Sequence, residues 1–230
     1  MSSSESKNIV ICSDGTGNTD VKGRGTNVFK LYEAIDIQGH KLDQSLPRQI
    51  AFYDDGVGTS DNIIKKMLGA GFGCGFSDNV RKLYGELARV YELGDRIYLF
   101  GFSRGAYTVR TLAGFIHYCG VLDREQFENN EKMEAQNLHC WKDFKEANLG
   151  GRDIFEYSKS HTGSMTKHMP DEKTRKEDGE RRNKHYALVD NNNPNGEIPI
   201  ELIGVWDTVA AIGTPFTRLW PFFEAERSFS

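Results

Sequence analysis

The feature that most constrains the fold is a glycine-flanked serine between a strand pattern and a helix pattern. Residues 101–105 read Gly-Phe-Ser-Arg-Gly and directly follow the apolar run Ile97 to Phe100, which is typical of a short buried strand. Apolar residues then recur at helical spacing, at Ala106, Val109, Leu112, Ala113 and Ile116. The strand therefore has to meet the helix at a sharp turn, where side chains on either side of the serine would collide.

This order of strand, serine turn and helix is typical of a nucleophile elbow, in which a strained backbone holds the serine with its hydroxyl exposed. We therefore predict that Ser103 is a nucleophile for acyl transfer from an ester-like substrate. The pentapeptide alone arises by chance in roughly one comparable sequence in seven, so the prediction depends on the flanking patterns. The alternative is a strand-to-helix connection without a catalytic role.

Strand-like and helix-like segments alternate along the chain. Strands are predicted at Asn8 to Cys12, Gln49 to Tyr53, Ile97 to Phe100 and Ile200 to Trp206. Alternation of this kind favours an α/β fold with a mostly parallel, helix-covered sheet, whose ligand crevice lies at the carboxyl ends of the strands. Four polar residues fall just after the ends of these predicted strands: Asp14, Asp54, Ser103 and Asp207.

Besides the helix after Ser103, two helices are predicted between these strands. Thr26 is expected to cap the first, and the second is amphipathic, begins near Ser77 or Asp78 and stops at Gly94. The glycine-rich residues 69–75 lack the spacing of a dinucleotide-binding loop and follow a helix-like segment instead of a strand. No cofactor is therefore expected.

A polar segment at residues 123–199 interrupts this alternation. Its first half predicts one or two surface helices, and its second half is typical of a loop. We interpret it as an insertion within a single domain of residues 8–230, after a polar, disordered amino terminus at residues 1–7. It is either a cap that shapes substrate access or a solvated insertion without a role in the chemistry.

Composition argues against several classes of function. The net charge of -4, without a basic stripe, gives no electrostatic basis for binding nucleic acid. No stretch has the pattern of a signal peptide or a membrane span, so we expect a cytosolic protein, for which export would need a non-classical route. The 4 cysteines and 6 histidines lack metal-site spacing, which favours reduced thiols and no metal.

An ordered series of short motifs runs from the first predicted strand to the last. The motifs are Asp14-Gly15-Thr16 with Asn18, Thr26-Asn27-Val28, Tyr53 with Gly56-Val57-Gly58, Gly101 to Tyr107, and Gly204-Val205-Trp206-Asp207-Thr208-Val209. This series resembles the once-uncharacterised α/β-hydrolase domain family whose best-understood members are the catalytic domains of type VI secretion phospholipase effectors. The resemblance implies an α/β-hydrolase-like fold and a Ser-Asp-His esterase or lipase, with Ser103 as nucleophile and Asp207 as the triad acid.

Both roles agree with the chemistry of these residues. A serine hydroxyl needs an imidazole to take its proton, and a carboxylate such as Asp207 must orient that imidazole; the alternative for Asp207 is a strand-end cap. The tetrahedral intermediate needs oxyanion-hole donors, for which we predict the N–H of Arg104 and that of Gly15 or Thr16. Asp14 either orients this loop or is a simple turn residue.

The expected histidine after Asp207 is absent. α/β-Hydrolases have the order Ser, Asp or Glu, then His, and no histidine follows Thr208. Three explanations of this absence are open. The chain is the amino-terminal portion of a complete domain, or it is an impaired enzyme, or its base is recruited from elsewhere, such as His161 or His185. No histidine is assigned, and low or no turnover is expected. The alternative function is a catalytically inactive hydrolase-fold protein that binds a partner.

The substrate is predicted only as a class, a small-molecule or lipid ester. The apolar residues between 215 and 223 are either a lipid-facing patch, which implies contact with a membrane surface, or core surface left bare by a missing carboxyl-terminal part.

Overall fold

The structure, a computed structural model, describes residues 6–15, 25–56, 72–149, 186–189 and 198–208. Within these ranges one sheet contains four strands: β1 (Asn8–Ser13), β2 (Gln49–Asp54), β3 (Arg96–Phe102) and β4 (Ile200–Trp206). Their order across the sheet is β2-β1-β3-β4, and each neighbouring pair is parallel. The predicted α/β fold with a mostly parallel sheet is therefore confirmed.

Helices pack on both faces of this sheet. The α-helices among the described residues are α1 (Asn27–Ala34), α2 (Gly39–Leu42), α3 (Phe72–Val90), α4 (Arg104–Cys119) and α5 (Asn130–Leu149). On one face, Val28 of α1 is buried against Val10 and Cys12 of β1. On the other face, residues such as Ile11 and Leu99 pack in a larger core with α3, α4 and α5. Successive strand residues point to opposite faces, so β1 contributes to both cores.

The first predicted helix begins where expected, whereas the second does not. Thr26 caps α1 by accepting a hydrogen bond from the backbone N–H of Phe29 at 3.1 Å. The prediction that the second helix begins near Ser77 or Asp78 is wrong, because α3 begins at Phe72. The ring of Phe76 lies 4.4 Å from that of Tyr107, and this packing against α4 favours a helix in a stretch where glycines disfavour one. The predicted stop is displaced as well, since α3 ends at Val90 and Gly94 lies in the turn that follows, at φ 96°.

The first half of the polar segment contains a short 3-10 helix (Arg124–Gln126) and then α5, so its predicted helical character is confirmed. The expectation that this half lies on the surface is only partly right. Four residues of α5 are buried in the larger core: Met133, Cys140, Trp141 and Phe144. Leu122 and Leu188 form an antiparallel bridge that joins the start of the segment to a later part. The loop predicted for the second half of the segment lies outside the described residues, apart from 186–189 and 198–199.

Three cysteines fit the expectation of reduced thiols: Cys12, Cys119 and Cys140 are free and buried. Within the described ranges, no helix combines the length and apolar character that crossing a bilayer requires.

Candidate active site

The crevice of this sheet lies between β1 and β3. The chain leaves β1 toward α1 on one face and leaves β3 toward α4 on the opposite face, although the two strands are neighbours. Ligands of open α/β sheets bind at such a topological switch point, outside the carboxyl ends of the strands. The residues that follow the two strands, Asp14-Gly15 and Ser103-Arg104, therefore flank this crevice.

Ser103 has the backbone conformation expected of a nucleophile elbow. It lies between β3 and α4 at φ 54° and ψ -115°, a region that non-glycine residues rarely adopt. A Cβ atom at Gly101 would lie 2.5 Å from the carbonyl oxygen of Gly105, and one at Gly105 would lie 1.9 Å from that of Ser13. Backbone packing on both sides of the serine thus requires glycine, which explains the spacing in the motif.

Asp207 follows β4, the strand adjacent to β3, which ends one residue before Ser103. Phe102 pairs with Trp206 in the β3–β4 ladder, and the N–H of Ser103 donates to the carbonyl oxygen of Trp206 at 3.0 Å. Asp207 itself has φ 43° and an exposed side chain. Sheet pairing therefore brings the two predicted catalytic residues to adjacent strand ends, the serine with its backbone strained and the aspartate with its carboxylate accessible.

Asp14 is a buried carboxylate, 1 % exposed, at the end of β1. It accepts hydrogen bonds from the N–H of Gly15 at 2.7 Å, from the hydroxyl of Tyr53 at 2.9 Å and from the hydroxyl of Thr26. These contacts connect the loop after β1 to β2 and to the cap of α1. They also occupy the N–H of Gly15, one of the two predicted oxyanion donors, and the other, Thr16, lies outside the described residues.

A second buried carboxylate, Asp54 at the end of β2, lies beside this loop and is 4 % exposed. It accepts a hydrogen bond from the hydroxyl of Ser13 at 3.2 Å, and Nζ of Lys82 lies 3.8 Å from it. Burial raises the pKa of Asp54, and its partners only partly oppose this. Burial also lowers the pKa of Arg104. The negative charge of Asp54 partly opposes this lowering. The position of Asp54 after a predicted strand indicates it as a candidate site residue. Its contacts could not be predicted from the sequence, because its partners come from separate elements.

The described histidines lie away from the crevice. His117 is in α4, roughly 20 Å along the helix from Ser103 at 1.5 Å per residue. Nδ1 of His40 lies 2.7 Å from the carbonyl oxygen of Leu46, which precedes β2, and His139 packs on the ring of Tyr186. The remaining three, His161, His168 and His185, are outside the described residues.

Among the described residues, no group of three histidine, cysteine or acidic side chains is arranged to hold a metal ion.

Comparison with known proteins gives one family and one relative. The family model for "T6SS, Phospholipase effector Tle1-like, catalytic domain" matches residues 7–229. The uncharacterized protein YEL023C of Saccharomyces cerevisiae is 33% identical over 152 residues, which is 60% of this chain and 21% of the yeast protein. The chain thus spans about a fifth of the length of that relative. No solved structure gives a significant match.

Proposed function

The chain belongs to the family of Tle1-like phospholipase effector catalytic domains, and from this we propose that it is a serine hydrolase of the esterase or lipase type that uses Ser103 as its nucleophile. The observation that supports this role most strongly is the backbone of Ser103, held at φ 54° at a strand-to-helix junction. Strained residues persist only where the surrounding structure enforces them, and they cluster at active sites. Here the enforcing contacts are those of Gly101 and Gly105 with neighbouring backbone.

In the proposed reaction the hydroxyl oxygen of Ser103 attacks the ester carbonyl carbon while its proton passes to a base. The carbonyl oxygen becomes an oxyanion. The proposed hydrogen-bond donors to this oxyanion are the N–H of Arg104 and that of Thr16 or Gly15. Gly15 can serve only if its N–H is released by Asp14. The alcohol then departs with a proton from the protonated base, and water hydrolyses the acyl-enzyme by the same two steps.

The acid of the proposed triad is Asp207. Its place beside Ser103 suits a carboxylate that orients an imidazole between the two side chains, because the strand ends are adjacent and Asp207 is accessible. The histidine stays unassigned, since none of the described histidines is at this edge of the sheet. Asp14 is proposed to orient the loop after β1 through its three hydrogen bonds.

A phospholipid is the proposed substrate class, because the family is one of phospholipase effectors. The acyl chain and headgroup are left open by this argument. Contact with a membrane surface through residues 215–223, which lie outside the described residues, stays a prediction. The cytosolic location and the absence of a nucleic-acid partner also stay predictions.

A second function is a hydrolase-fold protein that binds a partner without turnover. The observation that favours it is the distance of the described histidines from Ser103, which leaves the proton of the serine without an identified acceptor. A binding protein would keep the sheet and the turns for stability alone.

Labelling with a fluorophosphonate probe distinguishes the two functions, because such probes react with an activated serine and do not need the natural substrate. We expect one adduct per chain, located at Ser103 by mass spectrometry and lost in Ser103→Ala. The matched control Ser45→Ala changes an exposed serine and should be labelled like the wild type. Absence of an adduct in the wild type, or labelling that persists in Ser103→Ala, would refute the serine mechanism and favour a binding protein.

A further inference from the structure

Asp54 lies at the centre of contacts that reach both sides of the crevice. Its carboxylate accepts a hydrogen bond from the hydroxyl of Ser13, the last residue of β1. From α3, the side-chain amide of Asn79 approaches within 3.5 Å and Nζ of Lys82 within 3.8 Å. Buried carboxylates need such partners, because an unpaired one is costly away from water.

The backbone around Asp54 supports the loop after β1. Its carbonyl oxygen accepts a hydrogen bond from the N–H of Asp14 at 2.8 Å. Gly56 has φ 60°, and a Cβ atom there would lie 2.4 Å from the carbonyl oxygen of Asp14. The turn of residues 54–56 therefore packs directly against residues 14 and 15.

The same carboxylate acts on the elbow. Burial lowers the pKa of the half-buried Arg104, and the negative charge of Asp54 opposes this shift only in part. Ser13, which donates to Asp54, also contacts the elbow, because its carbonyl oxygen packs on the Cα atom of Gly105. Asp54 is thus coupled to the residue after the nucleophile through its charge and through the end of β1.

We propose that Asp54 is a positioning residue that keeps the elbow at Arg104 and the loop at Asp14-Gly15 in register across the crevice. This inference rests on the proposed function, in which both segments supply oxyanion donors. A buried charge suits this role because it acts on two segments at once, whereas a neutral side chain would hold only its hydrogen-bond partners. The ring of contacts explains why a carboxylate is found here despite the cost of its burial.

The test uses Asp54→Asn, which keeps the size of the side chain and removes its charge, with Asp55→Asn as the matched control at the exposed neighbour. The Nε–Hε resonance of Arg104, assigned by its loss in Arg104→Lys, should shift with pH as Asp54 ionises. This titration should disappear in Asp54→Asn and persist in Asp55→Asn. A purely structural role for Asp54 would leave the resonance of Arg104 insensitive to that charge.

Hydrogen exchange supplies the second measurement. In Asp54→Asn the amides of Gly15, Arg104 and Gly105 should exchange roughly tenfold faster, as expected for the loss of about one hydrogen bond. Amides inside β1 and β3, such as those of Ile11 and Leu99, should keep their rates. Unchanged exchange at the elbow and the loop, together with an unchanged Arg104 resonance, would overturn the proposal. In Ser13→Ala the same amides should also exchange faster than in the wild type, but by a smaller factor than in Asp54→Asn.

Neither measurement depends on turnover, so they separate this inference from the proposed function. If the wild type is labelled by the fluorophosphonate at Ser103, labelling should be several-fold slower in Asp54→Asn and unchanged in Asp55→Asn. Equal labelling rates in Asp54→Asn and the wild type would contradict the positioning role. If the wild type is not labelled at all, the hydrolase proposal fails, and the Arg104 resonance and the exchange rates alone decide the role of Asp54.

Discussion

At the scale of single residues, Ser103 and its two glycines depend on one another. The serine keeps its positive φ because α4 starts in close contact with β1, and that contact is possible only without a side chain at Gly105. The motif is therefore a packing requirement as well as a chemical one, and its effects on stability and on reactivity should be separable.

Gly105→Ala should be strongly destabilising, because its Cβ atom would lie 1.9 Å from the carbonyl oxygen of Ser13. We expect a loss of about 3 kcal/mol in the free energy of unfolding, at the upper end for overpacking, and loss of probe labelling at Ser103. The matched control is Gly85→Ala in α3, whose Cβ atom would lie 2.9 Å from the flexible end of Glu134 and 3.6 Å, an ordinary contact distance, from Nδ2 of Asn137. It should be neutral or slightly stabilising, since alanine is the better helix former. Similar urea midpoints for both variants would contradict the packing argument.

Cys12 should be an unreactive thiol. It is fully buried in β1, and burial with the nearby charge of Asp14 raises its pKa to about 12. The thiolate is the reactive form, so at pH 8 almost none is present. Iodoacetamide should leave Cys12 unmodified in the folded protein and alkylate it in urea, as measured by peptide mass spectrometry. Rapid alkylation under native conditions would show that this face of the sheet is open to solvent.

At the scale of elements, one buried ion pair fixes the amino ends of β1 and β3. Nζ of Lys7 lies 2.5 Å from a carboxylate oxygen of Asp95, and their side chains are 5% and 2% exposed. The same carboxylate accepts hydrogen bonds from the N–H of Lys7 at 2.9 Å and from that of Glu92 at 2.8 Å. This cluster joins the start of β1 to the turn before β3, at the end of the sheet opposite Ser103.

Asp95→Ala should destabilise the protein by about 3 kcal/mol, because it leaves the buried Lys7 ammonium with only the exposed carboxylate of Glu92, 3.6 Å away. The control is Glu128→Ala, which removes a solvent-exposed partner of Lys132 and should change the free energy of unfolding by less than about 1 kcal/mol. Chemical denaturation followed by circular dichroism measures both. If Asp95→Ala lowers the free energy of unfolding no more than Glu128→Ala does, the Lys7–Asp95 pair contributes no more to stability than a solvent-exposed salt bridge.

Most elements could be predicted from the sequence because their own residues specify them. The strands carry short apolar runs, and Thr26 caps α1 through a bond to Phe29, only three residues away. The start of α3 could not be predicted, since it depends on Phe76 packing against Tyr107 in another helix. The same limit applied to the site. Ser103 and Asp207 follow strands and could be predicted as candidate site residues, whereas the contacts of Asp54 arise from three elements that meet only in the folded chain.

At the scale of the whole molecule, the two ends of the sheet have different roles. The end at Lys7 and Asp95 is closed by a buried pair of opposite charges. The end at the crevice contains two buried carboxylates, Asp14 and Asp54, and a strained serine, all of which cost stability. Destabilising features concentrated at one end of a sheet are typical of a functional site, because folding alone gives no reason to retain them.

The free-energy cost of burying the ionised carboxylate of Asp54 should appear in the pH dependence of the free energy of unfolding. Its pKa is raised by burial and by Asp55 and lowered less by Lys82, Ser13 and Gly56, and Arg104 also faces it. In the unfolded chain an aspartate ionises near pH 4, so the folded state binds this proton more tightly. The contribution of Asp54 is therefore fully present below about pH 4 and is lost as the pH rises through the raised pKa.

Asp54→Asn removes this titration. Relative to the wild type, the variant should gain stability between pH 4 and pH 7, because only the wild type then carries the buried charge. Urea denaturation at both pH values measures the change, and Asp55→Asn should show a smaller one, because Asp55 is exposed and only adds to the raised pKa of Asp54. A difference between Asp54→Asn and the wild type that stays constant with pH would mean that the partners of Asp54 fully offset its burial. A variant more stable overall, yet faster to exchange at the elbow, would be the signature of a carboxylate retained for positioning and not for folding.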